Sequence, residues 1–138
     1  MKNALVLLLV FTVLSCKKES YIDEELLRTG WVLTEIRESN DDIIYEQLDS
    51  VRNESIYLVF TSNFELTGYG PALGFSDTEY SIDDNNNMTL NILGPRLPTR
   101  QWVSIFISYN HTVFKYNIKN DKLFLIFKEN KKFIFKRG

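Results

Sequence analysis

Apolar and polar residues alternate in short blocks along most of the chain, and clusters of turn formers close each block. In WVLTEI (31–36), Trp31 and Leu33 fall on one face and Val32, Thr34 and Ile36 on the other, the two-residue period of a strand. SIYLVF (55–60), the polar Thr61, Ser62 and Asn63, and FELTGY (64–69) read as a hairpin. Gly68, Gly70, Pro71 and Gly74 then interrupt the pattern and permit a tight reversal or a bulge. A second hairpin follows, from TEYSI (78–82) through residues 83–87 to MTLNIL (88–93). Near the end, VFKYNI (113–118), KLFLIF (122–127) and KFIFK (132–136) are separated by turns at residues 119–121 and around Glu129 and Asn130, and predict a three-stranded antiparallel meander. Two segments resist this reading. Residues 38–54 are acidic and irregular, with Ile43, Ile44 and Leu48 as candidate anchors, and fit a long loop or a short helix. In residues 101–111, Trp102, Phe106, Tyr109 and Val113 recur at helical spacing while Val103, Ile105, Ile107 and Tyr109 alternate as in a strand, so periodicity leaves both open. About eight short strands predict a mainly β domain: an antiparallel curled sheet or half-closed barrel, with at most one short helix between its halves.

The first residues follow another logic. Lys2 precedes an apolar run over residues 4–14, which ends at Ser15 and Cys16 and gives way at once to Lys17, Lys18 and Glu19. That is the layout of a signal peptide, and the run is shorter than the roughly 20 residues a helix needs to cross a bilayer. Val13, Leu14, Ser15 and Cys16 resemble the lipobox of bacterial lipoproteins, with apolar Val13 and Leu14 three and two residues before the cysteine and the small Ser15 directly before it. The resemblance implies cleavage before Cys16, with a diacylglyceryl thioether and an N-terminal acyl chain on that residue. Several chains anchor stably where one binds only reversibly, at about 0.8 kcal/mol per buried methylene. Three segments are therefore expected: residues 1–15 as a leader that is removed, 16–29 as a lipidated tether whose polar residues 17–29 suit a short linker or one marginal helical turn, and 30–138 as a single β-rich domain. Lys17 after the cysteine, rather than Asp, agrees with an outer-membrane destination under the sorting rule of some bacteria.

Composition narrows the chemistry. Cys16 is the only cysteine among 138 residues, so the chain has no cysteine pair for a disulfide, and its one thiol is assigned to lipid. The formal charge is −2, which gives no global field toward nucleic acid. The 14% aromatic content suits pleated, half-buried surfaces and favours β structure.

The Trp-led first strand, YLVFTSNFELTGYG, EYSIDDNNNMTLNIL and the closing VFKYNIKNDKLFLIFKENKKFIFKR, taken in this order, resemble a META or HslJ-like domain over residues 31–137. The resemblance implies a lipocalin-like half-barrel with a short helix between its halves, which tilts residues 101–111 toward helix. It also implies an association with envelope stress and drug tolerance, and no established reaction. The sequence departs from the family pattern where Pro71 and Ala72 follow Gly70, and where Leu97, Pro98 and Thr99 stand in a later segment that often holds cysteine. Roles tied to those family positions are not carried over.

Reactive groups are sparse. His111, the sole histidine, lies between Asn110 and Thr112 with no marked nucleophile, and reads as a surface or capping residue. Asp41 with Asp42 and Asp83 with Asp84 are paired carboxylates of the kind glycosidases use, but they sit in loops where carboxylates are normally solvated. Asp83, Asn85 and Asn87 match the start of a calcium loop, yet Met88 and Gly94 stand where the pattern needs Gly and Glu, so an Asx-rich turn explains them better. Zinc lacks ligands in a chain with one histidine. No catalytic residue, metal ligand or cofactor is expected beyond the lipid on Cys16. Lys115, Lys119, Lys122, Lys128, Lys131, Lys132, Lys136 and Arg137 interleave with Phe124, Phe133 and Phe135, a pattern that can bind single-stranded nucleic acid. For an exported chain the better reading is lysines guarding edge strands, with anionic envelope polymers as a lesser option. The expectation is a monomeric, membrane-anchored envelope lipoprotein that does not bind nucleic acid. It would serve either as a non-enzymatic module for a protein or polymer partner, or as a lipocalin-type carrier of a small apolar ligand.

Overall fold

The computed structural model describes residues 22–46, 55–71, 73–93 and 100–138. The leader, Cys16 and the lipobox lie outside these residues, as do the second half of segment 38–54 and the family-departure positions Leu97, Pro98 and Thr99.

One antiparallel sheet forms the body. Its strands are β1 (Trp31–Arg37), β2 (Ile43–Glu46), β3 (Tyr57–Phe60), β4 (Leu66–Tyr69), β5 (Gly74–Ile82), β6 (Asn87–Leu93), β7 (Phe114–Lys119), β8 (Lys122–Ile126) and β9 (Lys132–Arg137). Eight of them run in the order β4-β3-β1-β9-β8-β7-β6-β5, and β2 pairs with β1 off this path. The ends of the path meet. Glu65 bridges Glu79, the Tyr80 amide donates to the Phe64 carbonyl at 2.9 Å, and the Thr78 hydroxyl donates to the Leu66 carbonyl. The result is a nearly closed barrel of eight strands, the predicted fold class.

The hairpins form where turn chemistry marks them. Asn120 and Asp121 both adopt positive φ, 52° and 58°, between the paired Lys119 and Lys122, as a two-residue primed turn requires. Asp83 accepts from the amides of Asn85 and Asn87 at 2.8 and 2.9 Å and from the Asn87 side chain at 2.7 Å. This is the Asx turn expected from residues 83–87.

Three local expectations are corrected. First, strict alternation put Ile36 with Val32 and Thr34, but the register of β1 against β9 shifts between Leu33 and Glu35. The extra residue, Thr34, turns its hydroxyl to the Ile134 carbonyl at 3.0 Å. This bulge reverses the phase, so Ile36 joins Trp31 and Leu33 in the core at 0% exposure. Second, residues 43–46 are neither loop nor helix. They pair with β1 as β2, with Ile43 and Ile44 largely exposed, because an edge strand needs backbone pairing more than burial. Third, β5 begins at Gly74 rather than Thr78 and accommodates the glycine-rich stretch through a register shift between Gly74 and Glu79.

Helices close the two ends of the barrel. Residues 101–108 form the helix α2 (Gln101–Ser108), with Val103 and Phe106 buried and Ile105 and Ile107 only half-buried. The segment is therefore helical, and its buried face carries Val103 with Phe106 three residues on, while Val113 lies beyond the helix and is exposed. At the opposite end a single turn, α1 (Glu24–Leu27), is capped by the Asp23 carboxylate accepting from the Glu25 amide. Leu26 on this turn is fully buried, its carbonyl accepts from the Trp31 indole at 3.0 Å, and Glu25 pairs with Arg137. The fold thus takes in part of the segment assigned to the tether.

Candidate interaction surface

The barrel interior is packed with side chains. Trp31, Leu33, Phe133 and Phe135 are fully buried, and Phe106 of α2 meets the rings of Phe133 and Phe135 at 5.6 and 6.4 Å. Tyr109 and Phe127 complete the cluster around Phe133, each within 5.3 Å of its ring. Under α2 lies an apolar crevice of about 10 Å³ bounded by Leu90, Ile92, Phe106, Tyr109 and Phe127, a volume that suits about one water. Asn110 seals its rim by donating to the Ile92 carbonyl at 2.6 Å and accepting from the Ile92 amide at 2.8 Å, which substitutes for a neighbouring strand along β6.

The sequence-marked reactive residues do not converge. His111 is exposed, in a left-handed conformation just past α2, where its amide donates to the Leu90 carbonyl at 3.0 Å. Asp41 pairs with Lys132 at 2.8 Å, and that bond holds its carboxyl below the usual range. Asp42 accepts from the Asn40 side chain at 2.6 Å. Among the described residues, no three His, Cys, Asp or Glu side chains are grouped as a metal site would need, and no helix is long and apolar enough to cross a membrane. The Tyr80 hydroxyl donates to the Thr61 carbonyl at 2.6 Å, and burial, with the nearby Tyr116, pushes its pKa up to about 12.

Asp83 offers a pH test. The Asn87 side chain, then the Asn87 and Asn85 amides, hold its carboxyl below the ordinary value. A carboxyl depressed in the fold contributes stability above its unfolded value, about 3.9, and loses it as pH falls through the folded value. Asp83→Ala is therefore expected to be less stable than wild type at neutral pH, with the gap closing below about pH 4. Urea titrations at several pH values would measure it, and a gap that widens in acid would contradict this role.

The basic residues also stand differently from the expectation. Apart from Lys128 and Lys131 in the β8–β9 connection, they lie on β7, β8 and β9, which are interior to the strand order, so they do not guard edges. Phe133 and Phe135 point into the core while Lys132 and Lys136 lie on the outer surface, so the interleaving seen in sequence is divided between two faces. Several are paired: Lys131 with Glu38 at 2.9 Å, Lys132 with Asp41, and Arg137 with Glu25 and Asp121. The Arg137 guanidinium also lies over the Trp31 ring, 5.2 Å from its centroid. Pairing across the sheet brings a further set of outer-face residues together, Lys119, Lys122, Lys136, Val32, Tyr57 and Tyr69. Sequence spacing gives no hint of it, because the residues come from six separate strands.

No family model and no curated protein matches the chain. The fold is similar to that of a DUF4847 family protein from Bacteroides vulgatus, with 11% identity, a TM-score of 0.62, and coverage of 83% of this chain and 96% of that one. It is also similar to a protein from Burkholderia xenovorans solved by NMR, with 15% identity, a TM-score of 0.55, and coverage of 83% and 85%. At these identities the likeness is one of fold: a mainly β, barrel-like domain.

Proposed function

We propose that this protein is a bacterial envelope lipoprotein, anchored through lipid on Cys16, whose barrel is a non-enzymatic interaction module working at its surface. The observation that carries the anchor is a sole cysteine directly after a short apolar run, six positions before the described fold begins at Ile22. An outer-membrane location is part of the same proposal and rests on Lys17. The element order, with α2 between β6 and β7, supports the resemblance to META or HslJ-like domains and the link to envelope stress that it implies.

The packing of the barrel favours the module over the carrier. Pockets for small ligands occupy about 300–1,000 Å³, whereas the crevice under α2 is about 10 Å³. A thermal-shift screen of the protein with fatty acids, sterols and aromatic compounds tests the choice, because a ligand bound only by the folded state must raise its apparent stability. The module reading expects no saturable shift. A shift that saturates with one of these compounds, and disappears when Phe106→Trp fills the crevice, would replace the module by the carrier.

A further inference from the structure

The outer face of the barrel carries a basic and aromatic row at the end where α1 sits. Register places Lys119 opposite Lys122, Lys122 opposite Lys136, Lys136 opposite Val32, Val32 opposite Tyr57, and Tyr57 opposite Tyr69. Each of them alternates with a residue turned inward, such as Leu123, Phe135 or Leu58, so all six share the outer face. At roughly 4.8 Å between strands the row runs about 24 Å around the curved wall of the barrel. Its tyrosines are stacked with centroids 5.0 Å apart, and Tyr69 is 54% exposed.

The electrostatics differ from those of the other basic residues. Among the described residues, none of the three lysines has a carboxylate at ion-pairing distance, while Arg137 takes Glu25 and Asp121 and Arg28 also bonds Glu25. Asp23 is occupied in capping α1. Exposed acids of this end include Glu24, on α1, and Asp121, whose side chain is 80% exposed in the turn between Lys119 and Lys122 and is held by Arg137. Like charges directly opposite one another on neighbouring strands are unfavourable, so Lys119, Lys122 and Lys136 gain from an external anion. Tyrosine with lysine is the combination that settles at the headgroup level of a bilayer.

We propose that this row docks against the anionic headgroups of the membrane that holds the protein's own lipid. The inference rests on the Cys16 anchor. From Cys16 to Ile22 the chain spans six residues, at most about 20 Å when extended. Ile22 leads into α1, which joins the Trp31 end of the barrel, where the row lies. The tether therefore keeps Ile22, and with it the α1 end of the barrel, within about 20 Å of the bilayer. Docking there turns the opposite end, with α2, Ile43 and Val113, away from the membrane and toward partners.

The test uses the intact lipidated protein in vesicles of phosphatidylglycerol and phosphatidylcholine, or of phosphatidylcholine alone. With Cys16 occupied by lipid, single cysteines at Thr67→Cys, beside the row, and Val113→Cys, at the far end, carry a spin label. Its access to a water-soluble nickel chelate is then measured. Docking predicts several-fold lower access at position 67 in anionic than in neutral vesicles, with no change at position 113. The difference should disappear in the triple variant Lys119→Gln, Lys122→Gln, Lys136→Gln. It should also disappear in about 1 M salt without any substitution, where the Debye length falls to roughly 3 Å. Protein that floats with vesicles but shows equal access at position 67 in both compositions overturns the docking and leaves the anchor standing. Protein that fails to float overturns the anchor and the docking with it.

Discussion

Phe133→Ala is expected to lower the unfolding free energy by about 3–5 kcal/mol. Phe133 is fully buried on β9, a strand interior to the order, and its ring meets those of Phe106, Tyr109 and Phe127. The three partner rings come from different parts of the chain: the helix that closes one end, the residue just after it, and the residue just after β8. Removing the central ring leaves a cavity that the surrounding strands cannot close without breaking their ladders, and cavity cost adds to the lost transfer free energy. The melting temperature should fall on the order of 15 °C. Phe124→Ala makes the comparison, since Phe124 is a half-buried phenylalanine on the outer face of the neighbouring strand, and it should cost clearly less. Equal losses for the two in denaturant unfolding would mean that the barrel core is not where this packing puts it.

Gly68→Ala is expected to destabilise by about 2 kcal/mol or more, in the upper part of the usual range of about 1–3 kcal/mol for overpacking or beyond it. A Cβ at position 68 would lie 2.0 Å from the carbonyl oxygen of Tyr57 on the paired strand. That oxygen is backbone, fixed in the β3–β4 ladder by the pairing of Tyr57 with Tyr69 and Leu58 with Gly68, so it cannot rotate aside as a side-chain tip would. Relief requires the hairpin to separate, and with it the seam at which Leu66 receives Thr78. Amide exchange should therefore accelerate first in β4 and β5. Wild-type protection at these strands, together with unchanged stability, would contradict the close approach.

Much of the fold was legible because its turns are written in short-range chemistry. Asp83 with Asn85 and Asn87, and Asn120 with Asp121, specify their reversals with their own side chains and with left-handed backbone, so the hairpins could be read from local composition. Features that depend on a partner strand were not legible. The bulge at Thr34 changes which face Ile36 occupies only through its register with β9. The pairing of β2 draws on the backbone of β1 rather than on an apolar pattern of its own. The lysines looked like edge guards because a meander at the end of a chain often ends a sheet, whereas here β9 pairs with β1 and turns β7, β8 and β9 into interior strands. The same cross-strand register assembles the row from Lys119 to Tyr69, which no stretch of the sequence contains. The separation of catalytic-looking residues follows similarly, since Asp41 is taken by Lys132 from a distant strand.

The central claim, that Cys16 holds this barrel on a membrane, is tested most directly by membrane fractionation with metabolic acyl labelling of the wild type and Cys16→Ser. Wild-type protein is expected in the membrane fraction carrying label, and the serine variant is expected to lose the label and the shortened, processed form. A variant that is processed and labelled like wild type, or a wild type that takes up no acyl chain, would contradict it.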